Sequence, residues 1–422
     1  MGVREEAGSI PPLDGLRGIA VLWVMAFHYC ALRDAAADPW VEALRSLPLA
    51  DAVLRNGYLG VDLFFLISGF LLTLPWLLRA RAGEAVPAAM PFYRRRLRRI
   101  VPAYYLQLLL LFMLVMPLLR GADYWRRDLY VLAWNAVAHA GFIHNTTPLT
   151  SGSMGVNGAL WTLAVEAQFY LLLPLLAPLF VRASALVTLA AFLIAAAWQW
   201  GARHGLEPLV AAYMSAGAHW AWPESVIRGL LVTQLPSYLG HFALGALLGK
   251  AWLAWRGRDP TSRQRGAMTV AGTVATLALV GVLGSRTAVW GELTWLLTTI
   301  ALGALLLAAA LGTGFISGSL LGRGPLAFTG RISYSAYLYH LPVLYLLMHF
   351  WKGPAGAMLP AYLASVTLIS WLSWRFVEQP FLRVRRPSLS NGSENQRQAQ
   401  NQLRGSAEKP RPKARANSAR HP

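Results

Sequence analysis

Apolar stretches of about twenty residues recur along almost the whole chain, and they constrain its fold more than any other feature. A helix needs about 20 mainly apolar residues to cross the hydrocarbon core of a bilayer. Ten stretches meet this requirement: roughly 13–31, 58–78, 100–119, 160–180, 184–200, 228–249, 267–284, 293–311, 333–350 and 357–375. Only 14% of the residues are charged, against about 25% in soluble domains. The sequence therefore predicts an all-α, polytopic membrane bundle of about ten transmembrane helices.

The net charge of +19 is explained by membrane topology without nucleic-acid binding. With both termini in the cytoplasm, cytoplasmic segments hold 27 of the 38 Lys and Arg residues, and external segments hold nine. Cytoplasmic loops of membrane proteins show this excess. We therefore expect a multi-pass protein of the cytoplasmic membrane whose integral-membrane domain covers residues 1–384. Residues 385–422 have few bulky apolar side chains and are expected to form a disordered basic cytoplasmic tail.

The first apolar stretch carries three ionisable residues, Asp14, Arg17 and His28, each of which would cost a few kcal/mol if it faced lipid. Arg17 and His28 are eleven residues apart, so they share one helix face, separated by about 16 Å along the axis. Asp14 is within ion-pairing reach of Arg17, and a buried imidazole can move protons near neutral pH. The alternative is structural: Arg17 reaches the cytoplasmic interface, and a backbone carbonyl satisfies His28.

Asp62 and Glu166 also lie inside apolar stretches, in "GYLGVDLFFLISGFLL" and "NGALWTLAVEAQFYLLLPLL". Carboxylates are costly when they face lipid, so both are predicted to face the interior of the bundle. A histidine or arginine on a facing helix is the economical partner for Asp62, while Trp161 and Tyr170 lie near Glu166. The alternatives are a helix N-terminal charge for Asp62 and a structural ion pair for Glu166.

Five arginines in six positions precede the third apolar stretch, in "PFYRRRLRRIVPAYY". Arg95, Arg96 and Arg99 would cluster where a short helix meets the membrane, and guanidinium clusters suit phosphate. The motif therefore predicts a docking site for a cytosolic phosphate-bearing cofactor. A topology signal without a ligand is the alternative.

Two later motifs give weaker indications of a functional site. "GRISYSAYLYHLPVL" places His340 in the ninth stretch, and "WRFVEQPF" sets Arg375 and Glu378 at the cytoplasmic end of the tenth. We expect Arg375 and Glu378 to form an interfacial ion pair that fixes the helix end. The sequence shows no phosphate loop of the Walker type, no dinucleotide fingerprint and no paired-histidine metal helix, and we expect no metal.

Taken in order, these motifs resemble the acyltransferase-3 family of integral-membrane acyltransferases over about residues 12–384. The matching positions are Arg17, His28, residues 60–70, Arg95, Arg96, Arg99, Ile100, Pro102 and residues 378–380, with the later stretches quoted above. The resemblance implies a ten-helix bundle in a bacterial cell membrane. Such a protein takes an acyl group, by default acetyl, from cytosolic acyl-CoA and delivers it to a hydroxyl of a cell-surface carbohydrate, glycolipid or glycosylated metabolite.

The resemblance also implies roles for the site residues. His28 would be the general base for the acceptor hydroxyl, or a nucleophile that forms an acyl-histidine intermediate. Arg17 would position the donor or stabilise negative charge, and Asp62 or Glu166 would orient the imidazole or bind sugar hydroxyls. The three arginines of the third motif, Arg95, Arg96 and Arg99, would hold acyl-CoA. The remaining candidates are substrate-binding or structural: Asp14, Trp161, Tyr170, His340 and Glu378.

A proton-coupled transporter is the main rival, because intramembrane His, Asp, Glu and Arg also build proton relays. Against it, the sequence has no internal repeat that pairs two broken helices, as many transporters do. A non-catalytic scaffold for envelope assembly is a third class. Acceptor-dependent thiol release that is lost in His28→Ala would favour the enzyme, whereas proton-coupled uptake without thiol release would favour the transporter.

Overall fold

The computed structural model describes residues 10–34, 38–121, 124, 129–147, 150, 157–216, 223–256, 261–284, 294–312 and 321–382. The regular elements in these residues are helices, as the predicted all-α class requires. The α-helices longer than five residues are α1 Pro11–Arg33, α2 Pro39–Arg45, α3 Pro48–Arg55, α4 Leu59–Arg81, α5 Ala89–Leu110, α6 Leu129–Ala140, α7 Trp161–His204, α8 Glu207–Ala216, α9 Glu224–Val232, α10 Leu235–Trp255, α11 Ser262–Gly284, α12 Thr294–Ala310, α13 Gly324–Phe350 and α14 Met358–Ser373. The predicted tail, residues 385–422, lies outside the described residues.

In the part of the chain that the structure describes, five helical segments are long and apolar enough to cross a membrane: Pro11–Arg33, Leu59–Arg81, Ala89–Arg120, Gly158–His204 and Ala355–Leu382. Among the remaining described helices, α12 is apolar but shorter, and α11 is apolar over Val270–Leu279. Each of the ten predicted stretches overlaps a helix. The number of crossings and the cytoplasmic placement of both termini remain predictions.

Two of the predicted stretches, 160–180 and 184–200, belong to the single helix α7, which has 44 residues. A straight helix of that length would extend about 66 Å, roughly twice the hydrocarbon core of a bilayer. At Ala183 the backbone leaves the helical region, with φ −136° and ψ 48°, so α7 bends there. The bend therefore falls between the two predicted stretches.

The arginine-rich motif begins a long helix. α5 carries these arginines and then continues through a π-helical turn, Leu111–Val115, to a last turn, Met116–Arg120. The expectation of a separate short helix for the arginines is wrong, because no glycine breaks the motif and Pro102 is accommodated inside α5. The arginines are therefore held rigidly on the same helix as the third apolar stretch.

α4 lies at the centre of the bundle, where it contacts α1, α7, α10 and α12, and α1 also contacts α13. Glycines allow α1 and α13 to approach closely. A Cβ on Gly330 would collide with the carbonyl oxygen of Asp14, and a Cβ on Gly18 would collide with that of Leu326. The two helices that carry His28 and His340 are thereby held side by side.

Candidate active site

A cavity of about 590 Å³ lies between α1, α4, α5, α7, α10 and α13. Apolar side chains form most of its wall, and its charged side chains come from three separate motifs of the sequence. The predicted site residues that line it are Asp14, Arg17, Arg95, Arg96, Arg99, Glu166 and Tyr170. The fold thus brings α1, the arginine-rich start of α5 and the start of α7 around one space.

Positive charge dominates this cavity, since four guanidinium groups line it against two carboxylates. Arg17 Nη1 lies 3.5 Å from Asp14 Oδ1, which is longer than a strong charge-assisted hydrogen bond. Arg96 lies over the Phe92 ring at 5.8 Å, and its buried Nε finds no hydrogen-bond partner in the described part of the chain. Within the same residues, no carboxylate comes within ion-pairing distance of Arg96 or Arg99. The cavity therefore offers positive charge to an anionic ligand.

Glu166 is held by hydroxyl groups. Its Oε1 accepts a hydrogen bond from Ser68 Oγ on α4 at 2.8 Å and another from the Tyr170 hydroxyl one turn further along α7. Sequence reasoning missed Ser68, although it lies in the same quoted motif as Asp62. A hydroxyl inside an apolar stretch was the available signal.

His28 and His340 form a pair between α1 and α13. His28 Nδ1 lies 3.2 Å from His340 Nε2 and 3.0 Å from the Val24 carbonyl oxygen. His340 Nδ1 lies 2.7 Å from the Tyr337 carbonyl oxygen. His340 is fully buried and His28 is half-buried, so one ring of the pair stays accessible.

These partners assign the tautomers of the two neutral rings. A carbonyl oxygen only accepts hydrogen bonds, so His340 Nδ1 must carry a proton and His340 Nε2 must be an acceptor. His28 Nδ1 then carries the proton that it shares between the Val24 carbonyl and His340 Nε2. His28 Nε2 is left with a lone pair and, among the described residues, without a protein partner. That is the state a general base requires.

The histidine pair adjoins the cavity without lining it. Tyr337 lines the cavity, and its ring centroid lies 5.4 Å from that of His340. Thr162 also lines the cavity and donates a hydrogen bond to the Tyr337 hydroxyl at 2.9 Å. Sequence reasoning missed both residues. For Tyr337, its position one helical turn before His340 was the available signal.

Asp62 faces α10, where its Oδ2 lies 3.6 Å from His241 Nε2. A histidine on a facing helix is the partner that the sequence argument expects for Asp62, but nothing in the sequence singled out His241. Among the described residues, neither Asp62 nor Glu166 forms a hydrogen bond to His28. The imidazole of His28 contacts His340 instead.

The expected ion pair between Arg375 and Glu378 is wrong. Glu378 is 4% exposed and accepts a hydrogen bond from Ser335 Oγ at 2.5 Å, whereas Arg375 is exposed and lies against the Phe376 ring. The cause is the π-helical turn Trp374–Glu378, because such a turn changes which side chains share a face. Glu378 thereby ties the end of α14 to α13.

Trp161 stands at the first position of α7. Its ring centroid lies 5.3 Å from that of Tyr238 and 6.4 Å from that of Phe65, and Phe65 lines the cavity. A role for Trp161 in substrate binding stays a prediction.

The described residues contain no group of three or more His, Cys, Asp or Glu side chains that could hold a metal ion.

The fold and the site describe a helical protein with membrane-length apolar helices and a cationic cavity beside a histidine pair. The acyltransferase-3 family model, described as an acyltransferase domain, matches residues 10–375. The chain belongs to this family. The resemblance carried by the sequence motifs is thereby confirmed.

Its curated relatives are bacterial proteins. The chain is 25% identical over 394 residues to the peptidoglycan O-acetyltransferase OatA of Listeria monocytogenes, covering 89% of this chain and 56% of that protein. It is 23% identical over 395 residues to the O-acetyltransferase OatA of Staphylococcus aureus, covering 88% and 57%. A putative O-acetyltransferase of Staphylococcus aureus is 26% identical over 390 residues, again covering 88% and 57%.

The chain therefore spans a little over half the length of these relatives. No solved structure matches it.

Proposed function

We propose that this protein is a membrane O-acyltransferase that moves an acyl group from cytosolic acyl-CoA to a hydroxyl of a cell-surface carbohydrate, a glycolipid or a related glycosylated acceptor. One observation carries the proposal: a cavity lined by four arginines adjoins a histidine pair in which His28 Nε2 has no protein hydrogen-bond partner among the described residues and can act as a base. Relatives named O-acetyltransferase support acetyl as the acyl group and acetyl-CoA as the donor. The relative named for peptidoglycan supports a peptidoglycan-like acceptor.

The phosphates of the donor are proposed to bind among the arginines of the cavity. Arg96 and Arg99 lack carboxylate partners among the described residues, and a guanidinium holds phosphate through two parallel hydrogen bonds. Arg17 and Arg95 line the same space. The apolar remainder of the wall suits the arm that carries the thioester. With both termini in the cytoplasm, these arginines face the compartment that supplies acyl-CoA.

In the proposed reaction, His28 Nε2 removes the proton of the acceptor hydroxyl while the hydroxyl oxygen attacks the thioester carbonyl carbon. Negative charge develops on the carbonyl oxygen during this attack. Arg17, which lies about 16 Å from His28 along α1, lines the cavity and is proposed to position the donor. The C–S bond then breaks, and the leaving thiolate takes the proton from the His28 imidazolium. The products are the new ester, free CoA thiol and a neutral His28.

An acyl-histidine intermediate is the alternative within this proposal, because the lone pair of His28 Nε2 can also attack the thioester. CoA would then leave before the acceptor reacts, and a burst of thiol, about one per protein molecule, would appear without acceptor. Direct transfer gives no such burst. Rapid-mixing measurement of thiol with acetyl-CoA alone separates the two routes.

Other predicted residues take supporting roles. His340 is proposed to orient His28 and to stabilise its imidazolium form, which makes it a positioning residue. Glu166 is proposed to accept hydrogen bonds from a substrate that enters the cavity, since its carboxylate lines that space. Asp62 is paired with His241, and for it and Trp161 we propose acceptor binding.

The membrane placement is also a proposal: about ten crossings, both termini in the cytoplasm of a bacterium, and a disordered tail over residues 385–422. Five segments of sufficient length and apolarity, the excess of Lys and Arg in the segments assigned to the cytoplasm and the bacterial origin of the relatives support it.

The test of the function uses the full-length protein in detergent with acetyl-CoA and soluble peptidoglycan fragments. Thiol release is followed by a colour reagent and ester formation by mass spectrometry. We expect acceptor-dependent thiol release that His28→Ala abolishes. His349→Ala is the matched control, because His349 lies exposed at the end of α13, and it is expected to keep wild-type rates.

Three results would contradict the proposal. Proton-coupled solute uptake in vesicles without thiol release would favour a transporter. Unchanged transfer in His28→Ala would remove His28 as the base. Surface glycans that keep their acetyl groups in a strain carrying only His28→Ala would favour a scaffold.

A further inference from the structure

One oxygen of the Glu166 carboxylate has no protein partner among the described residues. Ser68 and Tyr170 both donate their hydroxyl hydrogens to Oε1, and no described side chain forms a hydrogen bond or an ion pair with Oε2. Glu166 lines the cavity and is half-buried, and Oε2 is not one of the fully buried polar atoms that lack a partner. It is therefore accessible to a molecule in the cavity. Because an ionised carboxylate only accepts hydrogen bonds, its ligand must bring an N–H or O–H group.

The position of Glu166 along α7 is measured by two neighbours on the same face. Thr162, Glu166 and Tyr170 follow each other at intervals of four residues, so they share a face of α7 over about 12 Å, and all three line the cavity. Thr162 donates a hydrogen bond to the Tyr337 hydroxyl at 2.9 Å, and the Tyr337 ring centroid lies 5.4 Å from that of His340. Thr162 therefore lies at the end of the cavity next to the histidine pair.

Tyr170 lies at the opposite end, beside the arginine-rich start of α5. Its ring meets the Phe92 ring edge to face, with the centroids 6.3 Å apart, and the Arg96 guanidinium lies over the same Phe92 ring at 5.8 Å. Glu166 is thus about 6 Å along α7 from the residue at either end. A ligand in the cavity meets guanidinium groups at one end, a free hydrogen-bond acceptor in the middle and the histidine pair beyond the other end.

Acyl-CoA carries its chemical groups in the same order: phosphates, then the amide N–H groups of the pantetheine arm, then the thioester. We propose that Glu166 Oε2 accepts a hydrogen bond from an amide N–H of this arm, which makes Glu166 a donor-binding residue. This inference rests on the proposed function and names the class of donor. That class is a thioester on a phosphopantetheine arm, as opposed to an acyl phosphate or a phosphoglyceride, which have no amide between phosphate and acyl group.

The experiment uses a variant of nearly the same shape whose hydrogen-bonding character is reversed. In Glu166→Gln the amide oxygen stays with the hydroxyl groups of Ser68 and Tyr170, so the amide NH2 replaces Oε2 and faces the N–H of the arm. Calorimetry on the full-length protein in detergent compares CoA with adenosine 3′-phosphate 5′-diphosphate, which carries the phosphates but lacks the arm. Affinity for CoA is expected to fall about 10–150-fold, as for the loss of a hydrogen bond to a charged group. Affinity for the nucleotide is expected to stay within about threefold.

Two control variants separate the arm from the phosphates. Arg99→Gln removes a guanidinium from the cavity and is expected to weaken CoA and the nucleotide by similar factors. Glu224→Gln makes the same chemical change as Glu166→Gln at an exposed glutamate outside the cavity, and both affinities are expected to stay within about twofold. KM for soluble peptidoglycan fragments is also measured in Glu166→Gln and is expected to keep its wild-type value.

Equal losses of affinity for CoA and the nucleotide in Glu166→Gln overturn the inference, and so does an unchanged affinity for CoA. A raised KM for the fragments with unchanged CoA affinity would assign Glu166 to the acceptor. If Glu166→Gln binds neither ligand, Glu166→Ala is judged by the same two affinities, and loss of both there also overturns the inference. A wild type that binds no CoA or transfers no acetyl refutes the proposed function instead, so the two failures are distinguishable.

Discussion

His340 offers a sharp check on the proposed base, because it contacts His28 without lining the cavity. Its Nε2 lies 3.2 Å from His28 Nδ1 and accepts the proton that this nitrogen carries. We expect His340→Leu to lower kcat for acetyl transfer. KM for acetyl-CoA is expected to stay unchanged, because the arginines that are proposed to hold the donor lie elsewhere.

The size of the effect follows from the two charge states of His28. In the neutral ring, the Val24 carbonyl also accepts from Nδ1 at 3.0 Å, so the tautomer survives without His340. In the transition state His28 becomes an imidazolium, and a hydrogen bond to a charged group contributes about 1.5–3 kcal/mol. Since about 1.36 kcal/mol corresponds to a factor of ten, kcat is expected to fall about 10–150-fold.

The assay is thiol release at saturating acetyl-CoA. His340→Gln is the rescue variant, because its amide oxygen can take the place of the accepting nitrogen, and it is expected to recover most of the lost rate. His349→Leu, an exposed position on the same helix, is the control. A loss as deep as that of His28→Ala would make His340 the base itself, and no loss at all would show that the pair stabilises no charge. Either result would refute the reasoning.

Three further predictions concern other sites, and two of them compare a variant with a matched site. Arg99→Gln removes a guanidinium from the cavity and is expected to raise KM for acetyl-CoA about 10–100-fold. Arg98→Gln, at an exposed position, is expected to change this KM less than about twofold. Steady-state kinetics measures both values. Gly330→Ala would drive a Cβ into the backbone of α1 and is expected to destabilise the protein by about 1–3 kcal/mol or more. At Gly281 an added Cβ meets open space, so Gly281→Ala is expected to be tolerated. Thermal unfolding in detergent compares the two variants. Glu378→Ala, by the same measurement, is expected to cost about 1.5–3 kcal/mol, because a serine on α13 loses its charged acceptor. Equal effects within either matched pair would contradict the assigned contacts, and so would an unchanged unfolding temperature in Glu378→Ala.

The helices were predictable because the length of an apolar stretch is a local property of the sequence. α1 and α4 begin and end within three residues of the stretches 13–31 and 58–78, and the bend of α7 falls at Ala183, between two others. The π-helical turn Trp374–Glu378 was not predictable, since no glycine or proline lies within it. That turn redirects Glu378 from its sequence neighbour Arg375 to α13.

The site was predictable only as far as periodicity reaches. The spacing between residues predicts which of them share a face of their own helix, but it does not predict which other helix packs against that face. Arg17 and His28 could be placed on one face of α1, whereas the partner of His28 lies 312 residues further along the chain. The hydroxyl that holds Glu166 likewise comes from 98 residues earlier. Such pairings depend on the order of helices in the bundle, and ten similar apolar stretches do not specify that order.

The hydroxyl groups around Glu166 explain how the cavity can hold this carboxylate while Arg96 and Arg99 stay without an ion-pair partner among the described residues. Ser68 and Tyr170 donate to the same carboxylate oxygen, while Arg96 and Arg99 remain without carboxylate partners among the described residues. Had Glu166 paired with a guanidinium, an incoming phosphate would first have to break a buried ion pair, at a cost of about 3–5 kcal/mol. Because neutral donors satisfy Glu166 instead, the proposed donor meets partly buried cations that are not already paired. In such surroundings charge-assisted hydrogen bonds are stronger than they are in water.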